Sequence, residues 1–230
     1  MTKKYLSAAG IVILLFAIMS CSSKPEEGLL KRYFHAVTLN DNQTLATMAL
    51  EPIKINVDNW EILSVAEEVV KPVTLPELNK KEIETKKALE EHVGPTLDAQ
   101  EAVYAAQDEL KYARTAAARR AARSKVDEME KKYEEEREKH SQMQKDYNEA
   151  KAAAAREEEI TIFSLGTGDL PNVRDFNGEV QFKTVDVKIN TKSGESKNYK
   201  IYMRRYEVQD ETLNLTHRGR WIIVRFEVLS

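Results

Sequence analysis

The chain has 230 residues, of which 32% are charged, 7% aromatic and one a cysteine; this is length for one or two domains, with a modest core beside an elongated, charge-rich part. A single thiol excludes an internal disulfide framework and a thiolate metal cluster. A formal net charge of −3, with no basic patch, argues against nucleic acid as a partner and against attraction to an anionic lipid surface.

Lys3 and Lys4 open the chain, and Leu6 to Met19 follow without a charge. A spanning helix needs about 20 apolar residues, and this run is shorter. Ser22, Ser23, Lys24 and Pro25 end it abruptly. Residues 1–20 therefore read as a signal peptide. Ile18-Met19-Ser20-Cys21 resembles the bacterial lipobox: an aliphatic residue, a small residue, then the cysteine. The resemblance implies a diacylglycerol on the Cys21 thiol, cleavage before it and acylation of the new amine. An ordinary secretory leader with an incidental cysteine is the competing reading, but a thiol with no intramolecular partner favours the lipoprotein. Acyl chains, at about 0.8 kcal/mol per buried methylene, would anchor the protein to a membrane. By resemblance to the sorting rules of Gram-negative lipoproteins, Ser22 after the cysteine implies the outer membrane, facing the periplasm. Loss of Lys3 and Lys4 with the leader takes the formal charge to about −5.

Residues 21–27 are polar and contain Pro25, a short tether. Leu29, Leu30, Tyr33, Phe34 and Val37 then recur at helical spacing. Asn40-Asp41-Asn42 marks a turn, Leu45, Met48 and Leu50 suggest a second short helix, and Pro52 stops it. Ile53, Ile55 and Val57 alternate, and Trp60, Ile62, Leu63 and Val65 follow, predicting one or two strands before residue 75.

Over residues 76–159 the composition shifts to the strong helix formers Ala, Glu, Lys, Gln and Arg. Gly94-Pro95 is the one breaker pair in this stretch and predicts a break or kink. Val103, Ala106, Leu110, Ala113 and Ala117 fit a heptad seam. Val126, Met129, Tyr133, His140, Met143, Tyr147, Ala150 and Ala154 fit another, in a different phase. The phase breaks between Ala117 and Val126, and Ser124-Lys125-Val126-Asp127 reads as a capping box. One arm is rich in alanine and the other carries tyrosine and methionine, as interdigitating antiparallel helices require. The prediction is a coiled-coil hairpin over 76–159 with its tip near Ala118–Ser124. The alternative is one continuous helix pairing with a second subunit, since the alanine run is itself good helix sequence.

Residues 160–230 read as sheet. Ile160, Ile162 and Leu165 alternate, and Gly166 to Gly178 is loop-like. Val180 and Phe182 lie on one phase and Val185, Val187 and Ile189 on the other, a slip that predicts a β-bulge. Ser193-Gly194 marks a hairpin turn, and His217-Arg218-Gly219 makes a further turn. Ile222, Val224, Phe226 and Val228 give a last strand.

The two ends, Leu29-Leu30-Lys31-Arg32-Tyr33-Phe34-His35-Ala36-Val37 and Gly219-Arg220-Trp221-Ile222-Ile223, resemble nuclear transport factor 2-like domains of bacterial lipoproteins, over residues 28–73 and 178–230. The resemblance implies an α+β cone, a curved antiparallel sheet around N-terminal helices. In this chain residues 28–75 and 160–230 would form that domain, split by the helical insertion. Tyr33, Phe182, Tyr199 and Phe226 are the candidate lining of its cavity. Periplasmic adaptor subunits of efflux pumps have the same outline, but the absence of glycine between Gly28 and Gly94 leaves no turn for their first half-motif.

Little in the chain points to catalysis. His35, His92, His140 and His217 lie far apart in sequence with no ligand spacing, and each reads as structural or solvated. Gly166-Thr167-Gly168 lacks the rest of a dinucleotide loop, and Asp175 to Gly178 the rest of a calcium loop. No cofactor or metal is expected. Arg204-Arg205 beside Tyr202 and Tyr206 suggests either an exposed pairing strand or arginines lying over the sheet. The expectation is a non-enzymatic, membrane-anchored envelope lipoprotein. It would work through its coiled coil, on a protein partner or a second copy, with seam positions Val103, Leu110, Val126, Met129, Tyr133, Met143 and Tyr147. Each arm of roughly 38 residues would reach about 57 Å. A small-molecule binding module, or an enzyme, built on the cone cavity is the second expectation.

Overall fold

The computed structural model describes residues 24–168 and 170–229. It is a mixed α+β fold with a curled antiparallel sheet and a long helix. In chain order the elements are α1 (Pro25–Leu39), α2 (Asn42–Met48), β1 (Val57–Val65), β2 (Val69–Pro72), α3 (Leu75–Glu91), α4 (Val93–Tyr112), α5 (Ala116–Leu165), a 3-10 turn (Val173–Asp175), β3 (Asn177–Thr191), β4 (Ser196–Asp210), β5 (Leu215–Arg218) and β6 (Ile222–Leu229). Pro25 opens α1, where a missing N–H costs nothing. Asn40, at φ 54°, ends it in the left-handed region. Asp41 then caps α2 by accepting the Thr44 N–H at 3.0 Å.

β3 and β4 form the spine of the sheet. They pair without a slip from Asn177 opposite Gln209 to Asn190 opposite Ser196. β1 and β2 share the outer edge of β3, and β5 and β6 share that of β4. The bulge expected within β3 is therefore not there. The irregularities lie in the β1–β3 and β4–β6 pairings instead.

What looked like a slip is a change of the buried face. Side chains keep alternating along β3, but each half of the β3–β4 hairpin is covered from a different side. Val185, Val187, Ile189, Ile201 and Met203 pack with Leu30, Tyr33 and Phe34 of α1 and Leu45 of α2. Val180, Tyr206, Val208 and Ile222 pack with Ile160 of α5, Val173 and Phe176. The sheet thus carries two cores on opposite faces, one under the short helices and one under the foot of the long one.

Two helix boundaries correct the sequence reading. α5 begins at Ala116, after the Ala113–Thr115 turn, and Thr115 caps it by accepting the Ala118 N–H at 3.1 Å. Ser124–Asp127 lies inside the helix, because a cap was available earlier and the alanine run propagates helix readily. At the other end, Ile160–Leu165 is helix and not strand. Buried Ile160, Thr161 and Ser164 recur at helical spacing, and Gly166 at φ 66° stops the helix. The expected break at Gly94-Pro95 falls at His92, with Pro95 in the first turn of α4 where it is tolerated.

Candidate functional site

α3 and α4 together lie antiparallel to α5. Lys125 Nζ meets Glu109 Oε1 at 2.6 Å, Gln107 donates to Glu130 at 3.3 Å, and His92 Nε2 lies 2.9 Å from Glu136 Oε2. At the foot, Arg174 holds both partners, with Glu82 and Glu158 each at 2.7 Å. The guanidinium pKa is raised, chiefly by its hydrogen bond to Glu158.

The covered residues follow heptads on both sides. From Leu75 through Leu78, Glu82, Thr85, Leu89 and His92 to Thr96, Ala99, Val103, Ala106 and Leu110, steps of three and four alternate. Along α5 the same rhythm runs from Ala122 to Ala154. Val103 and Val126 are buried, and Leu110, Met129, Tyr133, Met143 and Tyr147 are half-buried in this seam. All seven expected seam residues thus lie on the covered side of their helices. Because they are spent there, they offer little to a second protein.

The middle of the seam is polar. His92 and His140, far apart in sequence, come together with ring centroids 6.0 Å apart. His92 also meets Glu136, and its Nδ1 lies 3.2 Å from the Thr96 hydroxyl. His140 Nδ1 is buried without a partner. The Glu136 carboxyl is held below its ordinary range, first by the Lys139 hydrogen bond and to a lesser degree by His92.

A different row faces outward. Ile83 (59% exposed), Val93 (44%), Leu97 (53%) and Tyr104 (58%) line one flank of α3 and α4. Ile83, Leu97 and Tyr104 occupy the same heptad position and Val93 the neighbouring one on that flank. No large apolar side chain of α5 is comparably exposed. The sequence reading missed this row. Its signal was present as the sevenfold spacing of residues 83, 97 and 104, overlooked because the seam was sought only from Val103 onward.

The other expected site residues are placed as follows. Tyr33, Tyr199 and Phe226 belong to the core under α1 and α2, with the Tyr33 and Phe226 rings 5.3 Å apart. Phe182 packs on the opposite face, beneath Arg204 at 5.0 Å. The four do not line one cavity. Phe182 instead borders a concavity of about 690 Å³ between α5 and the sheet, with Glu51, Arg156, Glu157 and Tyr202. There Glu157 accepts from the Tyr206 hydroxyl at 2.7 Å and from Arg204 at 3.0 Å. Burial, then the Glu157 carboxylate, pushes the Tyr206 phenol well above its usual range. Arg205 stacks over Trp221 at 5.3 Å and bonds Gln181. Arg204 is thus engaged with α5 and Arg205 with the sheet, and neither is held out as a free cation.

Cys21 lies outside the described residues. Among the described residues no group of three or more His, Cys, Asp or Glu is placed to hold a metal ion, and no helix is long and apolar enough to cross a membrane. Comparison with protein-family models, with curated proteins and with solved structures gives no match to this chain.

Proposed function

We propose that the chain is a membrane-anchored envelope lipoprotein that acts, without enzymatic turnover, as a docking module. Its paired helices form a coiled-coil hairpin inserted into a split α+β domain of the nuclear transport factor 2-like kind, and the outer flank of that hairpin receives a helix of another protein or of a second copy. The observation that carries the reading is the exposed row Ile83, Val93, Leu97 and Tyr104. It lies beside a seam that is already filled. A third helix laid on that flank would cover apolar side chains at about 25 cal/mol per Å². Helix-in-groove recognition reads such i, i+4, i+7 anchors, and Val93, Leu97 and Tyr104 supply steps of four and seven.

Photo-crosslinking in cells tests this. A crosslinker at Leu97 or Tyr104 is expected to give a discrete protein adduct. The same group at Glu135, exposed on the far side of α5, is expected to give none. No adduct from either flank position, or equal adducts from all three, would sink the docking reading. The anchor is tested separately: Cys21→Ser should move the chain from the membrane fraction to the soluble fraction.

A further inference from the structure

The turn joining α4 to α5 has a charge pattern unlike that of the whole chain. Residues 111–125 hold Lys111, Arg114, Arg119, Arg120, Arg123 and Lys125 with no carboxylate, in a chain of formal charge −3. They occupy the last turn of α4, the Ala113–Thr115 turn and the first turns of α5, the end of the coil away from the sheet. All six are exposed. Lys125 is engaged by Glu109, and Arg119 Nε donates to the Ala113 carbonyl at 3.0 Å, which braces the turn. Among the described residues Arg114, Arg120 and Arg123 have no ion pair. Tyr112, 72% exposed, stands with them, and Lys111 Nζ lies 5.6 Å from its ring centroid.

We infer that this tip docks on the surface of an anionic lipid bilayer. A specific protein interface takes its register from an apolar centre and from charges of both signs. The tip has neither. It is the end of two helices with charge of one sign, small alanines between the arginines, and a single aromatic. Such a surface suits anions that can rearrange around it, which lipid headgroup phosphates do. Arginine meets phosphate oxygens in pairs, and tyrosine settles at the boundary between lipid and water. Each cation brought to an anionic leaflet strengthens binding roughly fivefold. Whole-chain charge hides this, because the acidic residues elsewhere outweigh six cations gathered on one turn. The inference goes beyond the docking reading above and holds with or without acylation of Cys21.

The test uses residues 21–230 with Cys21→Ser, which keeps every described residue and cannot be acylated there. It is sedimented with vesicles of phosphatidylcholine alone and of phosphatidylcholine with phosphatidylglycerol. The expected result is binding to the second only, weakened by salt. It should fall roughly a hundredfold in the Arg114→Gln/Arg120→Gln/Arg123→Gln variant, with the helical circular-dichroism signal unchanged. Lys31→Gln/Arg32→Gln, exposed cations on α1, should leave binding intact. No recruitment, equal binding to both vesicles, or an unaffected triple variant overturns the inference. So does tighter binding to duplex DNA or polyglutamate at the same ionic strength, or displacement by millimolar inorganic phosphate. None of these outcomes alters what crosslinking at Leu97 reports, so the two readings fail separately.

Discussion

Tyr33 shows how much one buried polar atom fixes. Its ring is fully buried, and its hydroxyl accepts the Ile53 N–H at 2.9 Å, tying the strand-leading segment to α1. Burial pushes its pKa up to about 12, with the Ile53 hydrogen bond acting the other way. In the unfolded chain a phenol ionises near 10. A folded-state pKa above the unfolded one gives stability that is complete below pH ~10 and is lost as pH rises toward 12, on the order of 2–3 kcal/mol in all. Tyr33→Phe should therefore flatten the alkaline fall in stability. At pH 7 it should cost about 1 kcal/mol for the orphaned Ile53 N–H. Urea unfolding at neutral pH and at steps above pH 9 reads both effects, and parallel curves for the two proteins would contradict them. The helical position of Tyr33 was legible from the apolar spacing around it. Its hydrogen bond to a residue twenty positions on was not, because periodicity says which face is covered and not what covers it.

At the scale of elements, the helices were legible to the extent that burial is periodic along one chain segment. Val126, Met129, Tyr133, Met143 and Tyr147 keep one heptad phase, and all of them lie in the seam. The misread boundaries have a common cause. The Thr115 cap outcompetes Ser124, and Ile160–Leu165 is too short a run to tell alternation from a helical face. The exchange of buried faces along β3 was illegible for a further reason: a strand covered on one face in one half and on the other face in the next has the sequence of a bulged strand. The polar layer yields a prediction at this scale. His140 stands at a seam position with Nδ1 buried and unpaired, and a buried unsatisfied group costs about 1–3 kcal/mol. His140→Leu should stabilise the paired helices by about 1 kcal/mol and raise the melting temperature. A melting temperature that falls would mean that the His92–His140 stack holds the seam together and is not a cost carried by it.

At the scale of the molecule, the arms divide into a foot that belongs to the sheet and a shaft that does not. The foot is tied in closely. Ser164 accepts the Tyr206 N–H at 3.2 Å and donates to the Arg220 carbonyl at 2.8 Å. A Cβ on Gly219 would lie 2.4 Å from Ser164 Oγ, so only glycine lets β5–β6 approach α5 this closely. Above the level of Glu82 and Glu158, which share Arg174, α4 packs chiefly against α5. Both cores therefore lie below that level, and the two ends of the shaft come together at one guanidinium. On the proposed split-domain reading, an insertion closed in this way costs its host little entropy. Replacing residues 84–152 with a short Gly/Ser linker should then leave a cooperative melt and a β-rich spectrum. Removing residues 77–165 takes Ile160 out of the second core and the Glu157 and Ser164 hydrogen bonds from Tyr206, and should abolish folding. If the shorter deletion also fails to fold, the shaft is part of what holds the sheet together, and the split-domain reading falls with it.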